Sequence, residues 1–119
     1  MGFGDAVQKG MANIGNFEGR ASRPEFWWLA LAVWVAEFVL YILISAVFRG
    51  GFGSFLLFVI WVVAFLAIVS VGVRRLHDVG QTGWLLLLWL IPCIGLVLIY
   101  FFVQPTGTTD NQYGPAPAA

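Results

Sequence analysis

The stretch "FGSFLLFVIWVVAFLAIVSVGVRRLHDVGQTGW", residues 52–84, decides the fold. From Phe52 to Val73 it holds no charged residue, and the apolar side chains leave no strand-like alternation. At about 1.5 Å per residue that run crosses the roughly 30 Å hydrocarbon core of a bilayer. A helix is required there, because an open strand could not satisfy its backbone in lipid. Then Arg74, Arg75, His77 and Asp78 gather four of the chain's thirteen Asp, Glu, Lys, Arg and His residues. Such a cluster is either the wet end of a helix or a site.

Two further apolar runs flank this one. The first covers about 26–48 and is interrupted only by Glu37; the other, about 84–103, has no charge. The first run is longer than a secretory signal's apolar core and follows 25 mostly polar residues, which argues against a signal peptide. The chain is 61% hydrophobic and 10% charged, against about 25% charged in ordinary soluble domains. So small a soluble domain could not bury that much apolar surface. The expected architecture is therefore an all-α membrane protein with three transmembrane helices, forming one membrane domain over 1–119. Its formal net charge is zero, so no basic field points to a nucleic-acid partner.

Orientation follows the basic residues. Lys9, Arg20 and Arg23 precede the first span, Arg74 and Arg75 follow the second, and only Arg49 lies in the turn between them. Three spans then put the N-terminal lead-in (1–22) and the Arg74–Asp78 loop in the cytoplasm and the tail (104–119) outside. Phe3, Val7, Met11 and Ile14 form a short helical stripe, read as an interfacial helix. Ser22 and Glu25 have capping-box spacing, with Pro24 in the first turn. Thr82 is placed to cap the third helix. The tail "QPTGTTDNQYGPAPAA", residues 104–119, is rich in Pro, Gly and Thr, and reads as flexible.

Several motifs stand in order: "FEGRASRPEFWW" (17–28), "VRRLHDVGQTGWLLLLWLIPCIG" (73–95) and "NQYGP" (111–115). Together they resemble the domain of unknown function 805 family, small bacterial inner-membrane proteins. Matching positions include Gly19, Arg20, Arg23, Arg74, Arg75, His77, Asp78, Gly80, Trp84, Pro92, Asn111, Tyr113 and Gly114. The resemblance implies an inner-membrane location and supplies no activity, catalytic residue or cofactor.

The candidate ligand or interaction residues are Arg20, Arg23, Arg74, Arg75, His77 and Asp78. Arg74 and Asp78, four apart on a helix, share a face and are expected to pair, while Arg75 points away. With Glu25, the cluster has three readings: orienting charges with incidental surface pairs, an ion network stapling the first two spans, or a site for an anionic lipid or phosphate. One His and one Asp are too few for a metal site. Glu37, at mid-span, shares an arc of about 80° with Trp27, Ala30, Trp34, Tyr41 and Ser45. That face is expected to look into the bundle or an oligomer interface, where Pro92 frees the Leu88 carbonyl in the third span. The function expected is non-enzymatic: a structural, accessory or interaction protein whose partners are the bilayer and a second copy or another membrane protein. The alternatives are an oligomeric transporter or channel using Glu37, and an anionic-lipid binder at the cluster. No cofactor and no metal are expected.

Overall fold

The computed structural model describes residues 2–91 and 93–117, and among them every regular element is a helix. In order they are α1 (Phe3–Ala12), α2 (Arg23–Val47), α3 (Gly51–Asp78), a 3₁₀ helix (Gly83–Leu90) and α4 (Leu96–Phe102). α2 and α3 have the length and composition to cross a membrane. They form an antiparallel hairpin about a short turn at Phe48–Gly50. α2 starts as its sequence dictates: the Ser22 hydroxyl accepts from the Glu25 N–H at 3.2 Å, and Pro24 occupies the first turn. The reciprocal half of a capping box is not made, because the Glu25 carboxylate turns to Arg74 instead.

Among the described residues the run 84–103 is not one continuous helix, and only α2 and α3 are long and apolar enough to cross a membrane. The run leaves the charged end as the 3₁₀ helix, turns near Cys93, whose φ is +69°, and returns as α4. Eight residues at about 2.0 Å each reach about 16 Å, roughly half of a bilayer core. The contacts of both ends fix the fold-back. Gly83 packs so closely on Val73 that a Cβ there would lie 2.7 Å from its Cγ1. At the other end the Phe102 carbonyl accepts from the Trp27 indole N–H at 3.0 Å, and the Phe26 and Phe102 rings lie in contact, centroids 4.3 Å apart and planes tilted by 32°. Entry and exit of the hairpin thus lie at one end of the α2–α3 pair. Pro92 lies outside the described residues; the Leu88 carbonyl accepts from the Ile91 N–H at 3.0 Å.

The core consequently sits at that end. Ala21, Phe26, Leu29, Val71, Leu76, Leu98 and Phe102 form one buried cluster where α2, α3 and the hairpin meet. α1 lies against it: Gly10 packs under Leu29, and a Cβ at Gly10 would fall 2.4 Å from Leu29 Cδ2. Towards the Arg49 turn, α2 and α3 have only each other, and Trp34, Phe38, Tyr41, Phe55, Phe58 and Trp61 are exposed.

Candidate functional site

The charged cluster occupies the last turn of α3, and the helix ends there for a local reason. Gly80 takes φ +81°; its N–H donates to His77 O at 3.1 Å, and the Gln81 N–H reaches back to Leu76 O at 2.9 Å. These bonds are the two of a Schellman motif, which needs a left-handed residue at this position and favours glycine there. With the helix stopped after Asp78, Arg74, Arg75 and Asp78 lie against whatever packs on its end.

That is where Asp78 becomes a hub. Its Oδ1 accepts from Arg20 Nε at 3.1 Å and Nη2 at 2.9 Å, and its Oδ2 accepts from Arg75 Nη1 at 2.6 Å. The Gly107 N–H adds a bond to Oδ2 at 3.1 Å. All three side chains are buried, Arg75 and Asp78 fully and Arg20 to 2% exposure. The sequence expectation of an Arg74–Asp78 pair is therefore corrected: the partner is Arg75, three residues before Asp78, and Arg75 does not point away. Arg74 turns instead to α2, where its Nη1 lies 2.7 Å from Glu25 Oε1. That ion pair staples the two spanning helices across 49 residues of sequence. Lys9 of α1 stands 3.6 Å from the other Glu25 oxygen, within ion-pair distance though beyond hydrogen-bond reach.

The guanidinium groups also bind the tail between residues 102 and 114, a segment whose composition reads as flexible. Arg20 Nη1 donates to Thr109 O at 2.7 Å and Gly114 O at 3.1 Å. Arg75 donates through Nε to Phe102 O at 3.3 Å and through Nη2 to Gln104 O. The Arg23 N–H donates to Thr106 Oγ1 at 2.9 Å, and Asn111 Nδ2 to His77 O at 2.9 Å. Gly107 is seated so tightly that a Cβ would fall 2.2 Å from Arg20 Nη2. A Thr- and Gly-rich segment suits this role, because its exposed carbonyls supply the acceptors that buried guanidiniums require. The tail and the Arg20–Arg23 segment therefore share one end of the molecule.

His77 faces a different set of neighbours. Its Nδ1 lies 2.9 Å from Gly19 O, and its ring stacks on Tyr113 with centroids 4.0 Å apart and planes 3° from parallel. His77 and Asp78, adjacent on the helix, diverge, since neighbouring helical residues point apart. Glu37 is remote from all of this. It is partly buried, in a cleft of about 720 Å³ between α2 and α3, beside Tyr41, Ser54 and Trp61. Its stripe divides: Ala30 is buried and Trp27 bonded at the cluster end, whereas Trp34 and Tyr41 are more than half exposed. No group of three His, Cys, Asp or Glu able to hold a metal occurs among the described residues.

A family model described as a protein of unknown function (DUF805) matches residues 14–115. The chain belongs to this family. The DUF805 match runs from the end of α1 through the tail to Pro115, so the tail segment that closes on Asp78 is part of the family's own span. The inner membrane protein YhaH of Escherichia coli (strain K12) is 37% identical over 116 residues, 95% of this chain and 96% of that one. The inner membrane protein YhaI of the same strain is 31% identical over 108 residues, 90% of each chain. No solved structure matches. Membership, the two apolar helices and these inner-membrane relatives agree on the class of protein. Sequence reasoning missed Gly107, Thr109 and the carbonyls of 102–104 as partners of the cluster. The signal available was the ordered "NQYGP" motif: Asn111, Tyr113 and Gly114 each touch the cluster residues His77 or Arg20.

Proposed function

We propose that this DUF805 protein is a non-enzymatic, multi-pass inner-membrane component that acts by contact, with both termini in the cytoplasm. The positive-inside rule supports the orientation: Lys9, Arg20, Arg23, Arg74 and Arg75 gather at the end that also carries the tail, and Arg49 stands alone at the other. α1, packed on α2 through Gly10 with Phe3 and Met11 exposed, then lies along the cytoplasmic leaflet.

One observation carries the functional reading. Both carboxylates at the candidate site are paired internally: Asp78 with Arg20, Arg75 and Gly107, and Glu25 with Arg74 and Lys9. Glu25 Oε2 and Arg74 Nε and Nη2 make no hydrogen bond, but they are buried within the pair. A catalytic or ligand site needs polar groups that its substrate can reach; most of this network's hold the tail and the helix pair. What remains for a partner is the half of α2 and α3 that the short hairpin does not reach. Lipid covers the apolar side chains there without penalty, but an ionised carboxylate at mid-depth costs about 2.5–3.5 kcal/mol. The Glu37 cleft is accordingly the contact face, and a second copy is the partner this reading assigns to it.

Disulfide crosslinking in native membranes tests this. In a Cys93→Ser background, Tyr41→Cys should give a dimer, and Glu37→Leu should weaken it. A chain that stays strictly monomeric, and that lipid-soluble crosslinkers join to no other protein, contradicts the proposal.

A further inference from the structure

A second cleft, of about 510 Å³, runs along α3 beside the start of the 3₁₀ helix, away from the ion network. Val69, Val73 and His77 line it at successive turns of one helix face, and Leu86, Thr82 and Trp84 close its other side. From Val69 to His77 is about 12 Å along the helix axis. Ordered from the interior of the α2–α3 pair towards its charged end, the lining runs from apolar to polar. That is the profile of an amphiphile lying along the membrane normal, with its chain at Val69 and its head at His77. The volume lies within the range of small-molecule sites, about 300–1,000 Å³, and has room for one acyl chain of such a guest, with the rest of the molecule in the surrounding leaflet.

The chemistry of the head follows from His77. A backbone carbonyl only accepts, so the His77 Nδ1 facing Gly19 O carries a hydrogen, and in the tautomer with that one ring hydrogen Nε2 is an acceptor. Nε2 has no partner among the described residues, and the Tyr113 ring stacked at 4.0 Å holds the imidazole in place. The cleft head therefore offers a fixed acceptor at the rim, together with the Thr82 hydroxyl. Its complement is a hydrogen-bond donor. We infer that the groove binds one phospholipid whose headgroup carries a primary ammonium, its acyl chain along Val69, Val73 and Leu86 and its N–H donated to His77 Nε2. This site is independent of the Glu37 contact face, so either can fail alone.

The test uses the full chain in mixed vesicles of phosphatidylethanolamine and phosphatidylcholine with identical acyl chains, extracted mildly and read by native mass spectrometry. Choline has no N–H, so ethanolamine lipid should be retained about tenfold to a hundredfold over it, the worth of one hydrogen bond to a charged group. His77→Phe keeps a ring to stack on Tyr113 but removes Nε2, and should abolish the preference. Val69→Phe, which fills the groove, should lower retention of both lipids. On the unmodified protein, the N-methyl and N,N-dimethyl headgroups should still be preferred over choline, with the drop at the third methyl. Equal retention of ethanolamine and choline lipids overturns the inference, as does an undiminished preference in a folded His77→Phe protein. Selective retention of phosphatidylglycerol over both overturns it too, because that would mean His77 acts as a cation.

Discussion

Replacing Asp78 by Asn should undo the cluster. The carboxylate accepts from two buried guanidiniums and one backbone N–H, and Asn keeps a single acceptor oxygen. If that oxygen stays with Arg20, the new amide N–H₂ faces Arg75 Nη1 and the Gly107 N–H, donor against donor. Two buried positive charges lose their shared counter-ion, and breaking a buried pair from one side costs about 3–5 kcal/mol. The fold/unfold equilibrium should therefore move by about two to four orders of magnitude. The loss should appear first where Asp78 holds the tail. Hydrogen exchange of the 105–114 amides in nanodiscs should rise towards unprotected rates, with a lowered midpoint on denaturation in mixed micelles. Replacing Arg20, Arg75 and Asp78 together by apolar residues of similar volume should recover much of the loss, since no orphaned charge then remains. A change of less than about 0.5 kcal/mol in Asp78→Asn, the range of ordinary surface substitutions, would refute the reasoning. So would unaltered tail protection.

Two other substitutions probe separate parts of the same account. Gly107→Ala places a methyl 2.2 Å from Arg20 Nη2, so it should lift the tail and cost about 1–3 kcal/mol as overpacking; proteolysis within 105–117 should quicken without loss of helix content by circular dichroism. Ser22→Ala removes the N-cap bond to Glu25 N and should lower stability by about 1 kcal/mol, read as a thermal shift, with the tail still protected.

How much of this was legible in the sequence differs from element to element. The two long helices were, because an uncharged run of bilayer length admits one solution. The fold-back of 84–103 was not: in length and apolarity it equals a span. What turns it round is 3₁₀ winding, a positive φ at Cys93, the packing of Gly83 on Val73 and the contacts of Phe102 with residues far away in sequence, none of which has a periodic signature. The number of crossings decides where the tail is placed: three put it outside, whereas the two proposed here put it beside the N-terminal segment. Composition then made the tail look flexible. Yet Thr109 and Gly114 offer carbonyls to Arg20, and Phe102 and Gln104 offer theirs to Arg75; ordering the tail requires those partners, which composition cannot reveal. In the cluster, residue identity was legible and pairing was not. Helical spacing allows both Arg74 and Arg75 to reach Asp78, and the choice is made by Glu25, which takes Arg74 from the neighbouring helix.

The central claim is that the tail closes on the cluster from the same face of the membrane as the N-terminal segment. Single cysteines at Asn13, Gly50 and Ala116, each in a Cys93→Ser background, measure it directly in intact cells and inverted vesicles with a membrane-impermeant thiol reagent. The account predicts that positions 13 and 116 label only in inverted vesicles, and position 50 only in intact cells. Labelling of position 116 from outside, with position 13 protected, would contradict it.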